Sequence, residues 1–227
     1  MDFILIAGLW LDGAVWTGVA AELERLGHRA IPLTLPGQGD GSAAATLDDQ
    51  VTATVAAVDA ASTPVVVGHS AACSLAWLAA DRRPTAVRRV VLIGGFPNGD
   101  GAAYADFFEP VNGAMPFPGW GAFEGPDSAD LDDATRHRMA ADAIPVPETV
   151  TKGTICLHDE RRFDVPVTVV CPEFGPDEAK GWIGSGDVPE LAAAHDVSFV
   201  DIDSGHWPMF TRPAELARLL DETARER

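Results

Sequence analysis

Pro64-Val65-Val66-Val67-Gly68-His69-Ser70-Ala71-Ala72-Cys73-Ser74-Leu75-Ala76-Trp77 is the stretch that settles the architecture. A short β-branched run stops at Gly68-His69-Ser70-Ala71-Ala72, and a pattern of small, helix-forming residues begins at once. Such a junction predicts a strand that turns sharply into a helix, with the serine hydroxyl projecting above the sheet edge. The turn presses neighbouring Cβ atoms against backbone, so the flanking residues must be small, and Gly68 and Ala72 meet that demand. Ser70 is therefore a candidate nucleophile.

Outward from this junction, short apolar runs alternate with amphipathic ones. Strands are expected at residues 3–7, 28–33, 65–67, 87–94, 165–171 and 197–202. Helices are expected at 15–26, 47–61 and 71–80, with a last one from Pro213 onward. Strands this apolar need cover on both faces, which predicts a doubly wound, mostly parallel α/β sheet. The interval between the strands ending at Gly94 and starting at Val165 is longer than one crossover needs. It is rich in Gly and Pro and carries Tyr104, Phe107, Phe108, Met115, Phe117, Trp120 and Phe123. Residues 1–96 and 164–227 then form one core, and 97–163 an inserted lid over the carboxyl edge of the sheet. Helical patterning in the lid is confined to 131–143, with Asp127, Ser128 or Asp130 as its cap.

Composition narrows the function. A net charge of −18 over 227 residues repels phosphate backbones and anionic bilayers, so neither nucleic acid nor membrane is an expected partner. Three widely spaced cysteines, Cys73, Cys156 and Cys171, fit neither a disulfide framework nor a metal site and suggest a cytoplasmic protein. The opening Met-Asp-Phe-Ile-Leu-Ile lacks a basic region and reads as a strand rather than a signal peptide. No cofactor is expected: the first turn, Gly8-Leu9-Trp10-Leu11-Asp12-Gly13, lacks the closely spaced glycines that a dinucleotide pyrophosphate requires. The acidic group Asp127, Asp130, Asp132 and Asp133 lacks calcium-loop spacing and reads as a solvated cap.

A serine hydroxyl needs a base within reach and a third group to orient that base. Of six histidines, His28 is expected to be exposed after a helix-ending Gly, and His69 to point away from its neighbour Ser70. His137, His158 and His195 fall in or near the lid and at a helix end. His206 stands apart, in Asp203-Ser204-Gly205-His206-Trp207-Pro208 after the last strand, at the sheet edge where Ser70 lies. To act together, these two side chains must touch.

Ala7-Gly8-Leu9 with Trp16, Pro36-Gly37-Gln38-Gly39, Gly68-His69-Ser70-Ala71-Ala72 and Gly205-His206-Trp207-Pro208 together resemble the α/β-hydrolase fold family. Within it the chain is similar to the small lid-bearing carboxylesterases of the methyl-ester esterase and hydroxynitrile lyase group. The resemblance implies six parallel strands and an oxyanion hole made by the backbone amides of Leu9 and Ala71. Ala7 stands where many members have a loop-bracing histidine. The family places its acid just past the penultimate strand. There Glu173 is ranked first, Asp100 second, in the loop after the strand ending at Gly94, and Asp177 third, in the first turn of the next helix. The implied activity is hydrolysis of a small, uncharged carboxylic ester or lactone. A cyanohydrin lyase, with Lys152 or Arg161 supplying a cation, and a non-catalytic ligand-binding member are the alternatives. The oligomeric state is left open.

Overall fold

The structure is a computed structural model that describes residues 1–225. Six strands form one sheet: β1 (Asp2–Ile6), β2 (Arg29–Leu33), β3 (Pro64–His69), β4 (Arg89–Ile93), β7 (Val167–Cys171) and β8 (Val197–Asp201). The order is β2-β1-β3-β4-β7-β8, and every neighbouring pair is parallel. Two further strands, β5 (Ala114–Met115) and β6 (Val146–Pro147), pair antiparallel in the segment between β4 and β7. The doubly wound parallel sheet expected from the apolar runs is what forms.

Strand periodicity explains the two-sided core. Ile4, Ile6, Val66 and Leu92 face one way, and Phe3, Leu5, Val67 and Val91 face the other. The first set is covered by α2 (Leu47–Asp59) and α3 (Cys73–Arg82), through residues such as Val58, Leu75 and Trp77. The second is covered by α1 (Thr17–Arg25) and α9 (Pro213–Arg225), through Val19, Leu23, Leu216 and Leu220. Burying one such aliphatic side chain contributes ~1.5–3 kcal/mol, so both layers are needed to offset chain entropy.

Local chemistry sets the helix ends. Thr46 and Asp49 form a reciprocal capping box at α2, where the Thr46 hydroxyl accepts from Asp49 N at 3.2 Å and the Asp49 carboxylate accepts from Thr46 N at 2.9 Å. In the segment between β4 and β7, α4 (Asp133–Asp142) is capped by Asp132, which accepts from Thr135 N at 2.7 Å. The caps expected at Asp127, Ser128 or Asp130 are thus displaced by the acid next to the first turn. The short α5 (Glu148–Thr151) follows β6. Past β7 come α6 (Pro176–Ser185) and α7 (Pro189–Ala193), and past β8 the single-turn α8 (Pro208–Thr211) precedes α9.

His28 departs from its expected exposure. Its ring packs edge-on against Phe3 at 5.0 Å, and Nε2 pairs with Asp221 Oδ1 at 2.7 Å. A histidine beside a buried strand residue and facing a helix carboxylate is a structural pin between β2 and α9. Among the described residues, no helix is long and apolar enough to cross a membrane.

The chain runs outward from β1 to β2, then returns to place β3 on the other side of β1. The carboxyl ends of β1 and β3 therefore flank a switch in winding direction, the place where open α/β sheets carry their sites.

Candidate active site

Ser70 follows β3 directly, with φ of +55°, in the left-handed region that side-chain-bearing residues rarely adopt. That conformation lifts it clear of the sheet while Ser70–Ala72 begin a helical turn leading into α3. Close packing fixes the turn. A Cβ on Gly68 would collide with the Ala72 carbonyl, and one on Gly8 would stand 2.9 Å from Ser70 Cβ. The loop after β1, carrying Gly8 and Leu9, is thereby held against Ser70.

Gln38 braces that loop. Its buried amide nitrogen donates to the carbonyls of Gly8 at 2.9 Å and Leu11 at 3.0 Å, and its side-chain oxygen accepts from Gln50 at 3.1 Å. Gln38 thus ties the loop through two of its carbonyls. Gln38 belongs to the Pro36-Gly37-Gln38-Gly39 motif, whose spacing alone does not reveal this contact. Trp10, next to Leu9, also has a positive φ of 65°. Its indole donates to Met115 O at 3.2 Å, its carbonyl accepts from Ile144 N at 2.9 Å, and its ring packs on Phe108, Phe117 and Phe123.

His206 is anchored from several sides. Its amide donates to Asp127 O at 2.7 Å and its carbonyl accepts from His69 Nε2 at 2.8 Å. Its Nδ1 lies 2.6 Å from Glu173 Oε1, and Trp207 packs edge-on at 4.8 Å. With Nδ1–H donated to the carboxylate, Nε2 is left as the acceptor, a tautomer assigned from this network. Ser70 and His206 pack against consecutive glycines: Gly94 abuts the His206 imidazole and Gly95 the Ser70 carbonyl. The direct hydrogen bond required between the two side chains is not made among the described residues. Nucleophile–base contacts are commonly loose in ligand-free sites and tighten around substrate.

The other carboxylates lie elsewhere. Asp100 accepts from Leu157 N at 2.8 Å, and Asp177 is 98% exposed in the first turn of α6, paired with Lys180. The acidic group near α4 is only partly a solvated cap. Both Asp130 oxygens are buried without a partner among the described residues, and burial raises the carboxyl of Asp127 above its ordinary range. The remaining histidines are peripheral, with His137 and His158 exposed and His195 paired to Asp164 at 2.8 Å.

His69 holds the position that the sequence left without a role. Its ring is 1% exposed, packs 4.9 Å from His206, and keeps Nδ1 unpartnered among the described residues. Burial first, and the neighbouring His206 second, hold its pKa down to about 3, so it is a neutral donor to the His206 carbonyl. The signal was present: a histidine inside a Val-Val-Val-Gly strand is buried, and a buried imidazole needs a partner.

The cysteines are poor nucleophiles here. Burial pushes Cys171 up to about 12 and raises Cys73 further from the thiolate range. Among the described residues, no group of three His, Cys, Asp or Glu is placed to hold a metal ion. A chamber of about 110 Å³ opens beside Ser70, bounded by Ala71, Ser74, Gly95, Asn98, Tyr104 and Phe107. A larger cavity of about 340 Å³, between Trp10 and Met139, contains neither Ser70 nor His206.

Residues 3–219 match the family model described as the alpha/beta hydrolase family. No curated protein matches the chain. Among solved structures it is similar to an extracellular alpha/beta-hydrolase from a Paenibacillus species, described as sharing structural and functional homology with tobacco salicylic acid binding protein 2. That likeness has 20% identity, a TM-score of 0.81 and full coverage of both chains. A pyrethroid hydrolase from Sphingobium faniae is 22% identical with a TM-score of 0.70, over 99% of this chain and 97% of that one. An Arabidopsis methylesterase is 12% identical with a TM-score of 0.75, over 98% of each chain. At these identities the likeness establishes a shared fold.

Proposed function

Because the chain belongs to the alpha/beta hydrolase family, we propose that it is a serine esterase cleaving a small, uncharged carboxylic ester or lactone through an acyl-enzyme. The observation that carries this reading is the set of three side chains at one sheet edge. Ser70 stands on a left-handed turn against Gly95, His206 packs against the adjacent Gly94, and Glu173 lies 2.6 Å from His206 Nδ1.

In the proposed reaction, Ser70 Oγ attacks the carbonyl carbon while its proton passes to His206 Nε2. Glu173 accepts from Nδ1–H and stabilises the imidazolium that forms. The oxyanion sits between the amides of Leu9 and Ala71, where the start of a helical turn presents free N–H donors. The C–O bond to the alcohol breaks as His206 returns the proton to the leaving oxygen. Water then repeats the sequence, releasing the acid and restoring Ser70.

Segment 97–163 serves in this reading as a lid, tied to the core through Trp10 and through Asp127 at His206. Hydrolysis is favoured over cyanohydrin cleavage by where the cations lie. Lys152 pairs with Glu148 and Arg161 with Asp159 on the surface, and neither lines the chamber beside Ser70. Free cysteines, Cys156 among them exposed, suit a reducing compartment, so the proposal extends to a cytoplasmic enzyme acting on a soluble small molecule.

The test is chemical. A fluorophosphonate probe is expected to label the wild-type protein at Ser70 and to leave Ser70→Ala unlabelled, with p-nitrophenyl acetate turnover lost in parallel. Equal labelling of the two proteins would end the assignment, and labelling without turnover would favour the ligand-binding alternative.

A further inference from the structure

The amide that the proposed reaction asks of Leu9 belongs to the Gly8–Leu9 peptide, and the carbonyl of that same peptide is held by a buried side chain. Gln38 Nε2 donates to Gly8 O at 2.9 Å and to Leu11 O at 3.0 Å. Both hydrogens of the amide nitrogen are thus engaged by the two carbonyls on either side of Leu9 and Trp10. A peptide unit is planar and this one is trans, so its C=O and N–H point in opposite directions. Fixing the Gly8 carbonyl on Gln38 therefore fixes the aim of the Leu9 N–H, away from Gln38.

Leu9 is buried, and its N–H has no acceptor among the described residues. Unpartnered backbone donors are rare in protein interiors. Packing on both sides keeps this one in its orientation. Gly8 is wedged against Ser70 and His69 with no room for a Cβ, and Trp10 follows at a positive φ.

Gln38 is itself held by α2. Its side-chain oxygen accepts from Gln50 Nε2 at 3.1 Å, and the same nitrogen donates to Pro36 O at 2.8 Å. Turning the Gln38 amide over would set its oxygen against two carbonyls and its nitrogen against the Gln50 donor, so Gln50 fixes which end faces the loop. Both side chains are buried, and in such surroundings successive hydrogen bonds polarise one another. We propose that Gln38 is a positioning residue for the oxyanion: it aims the Leu9 N–H and, by drawing electron density toward the Gly8 oxygen, makes that N–H a stronger donor, with Gln50 setting its orientation. The inference rests on the serine esterase reading and adds two residues that prepare one of its two oxyanion donors.

Gln38→Met keeps the length of the side chain and removes its hydrogen bonds. On p-nitrophenyl acetate, kcat is expected to fall roughly 10–100-fold with KM within about threefold, less than the ~10²–10³ that loss of a whole oxyanion donor costs. The inhibition constant of 1,1,1-trifluorobutan-2-one should rise by the same factor. With this ketone Ser70 Oγ bonds to the carbonyl carbon, the serine proton passes to His206, and the carbonyl electron pair becomes the oxyanion. Gln50→Met should give a smaller loss in both quantities, and the double variant no more than Gln38→Met alone, because both act through one amide. Variants that melt at lower temperature but keep kcat and the inhibition constant would overturn the proposal, as would losses that multiply in the double variant. A readout free of turnover is the Leu9 amide in ¹⁵N-leucine-labelled protein, assigned by its disappearance in Leu9→Met. It should shift in Gln38→Met, and in Gln50→Met where Gln38→Met does not fold, while the Leu220 amide stays put. A Leu9 resonance that does not move would also overturn the proposal. Absence of fluorophosphonate labelling in the wild type would instead remove the esterase reading, with the Leu9 resonance still deciding the network.

Discussion

Acidification is where His69 should reveal itself. In the fold the imidazole is buried and donates to the His206 carbonyl at 2.8 Å, and burial with the neighbouring His206 ring holds its pKa down to about 3. In the unfolded chain the same group titrates near ~6.5. Below that value the unfolded chain binds a proton that the folded protein refuses, so stability drains away as pH falls, at ~1.4 kcal/mol per pH unit. The drain stops where the folded imidazole finally protonates, at about 3. From about pH 6.5 to about pH 4.5 it amounts to ~2.7 kcal/mol. His69→Gln keeps an N–H donor but cannot titrate. Urea unfolding of both proteins across this window separates His69 from the carboxylates, which act on both alike. The wild type should lose ~1.4 kcal/mol per pH unit more than the variant below about pH 6.5, with a constant offset above it. Parallel curves across the whole window would refute the reasoning, because they would mean that the folded imidazole protonates as easily as a free one.

Glu173→Gln should lower kcat on p-nitrophenyl acetate by roughly 10³–10⁴ with an unchanged circular dichroism spectrum, and a loss below about tenfold would direct the search to another carboxylate. Gly68→Ala drives a Cβ into the Ala72 carbonyl, backbone that cannot swing aside. It should destabilise by at least ~1–3 kcal/mol in a thermal melt and abolish turnover, so an unchanged melting temperature would contradict the packing described. Arg162→Met strands Glu190, whose carboxylate takes Arg162 Nε and Trp77 Nε1, each at 2.9 Å. The cost by urea unfolding should be ~3–5 kcal/mol and should shrink in the double variant with Glu190→Gln; an additive double variant would count against a buried pair.

The central strands were legible because burial on both faces leaves an unbroken apolar run, as in Val65-Val66-Val67 and Val90-Val91-Leu92-Ile93. The edge strand β2 is different in kind, being partly exposed and containing Pro32, whose missing N–H is tolerated because β2 pairs only with β1. The cap of α4 was not legible, since Asp127, Ser128, Asp130 and Asp132 all suit a cap and local propensity cannot choose among them. At the site, the sequence order of strands and turns already put Ser70 and His206 at one edge. The supporting contacts could not be read, because each joins distant parts of the chain: His69 to the carbonyl 137 residues on, and Gln38 to the loop 30 residues back. Glu173 is nearest in sequence to the end of β7, but Asp100 and Asp177 also lie in segments that follow a strand, and only side-chain reach decides which one stands beside His206.

The stitches at Trp10 constrain how molecules travel to Ser70. Swinging the whole segment aside would break the indole bond to Met115 and the amide bond from Ile144, and would strip three phenylalanines from the indole ring. Among the described residues Phe107 carries no such ties: it is 58% exposed and lines the chamber beside Ser70. If esters reach Ser70 as proposed, a rotation of this exposed ring, on the picosecond-to-nanosecond scale, is a far smaller movement than the microsecond-to-millisecond swing of a hinged flap.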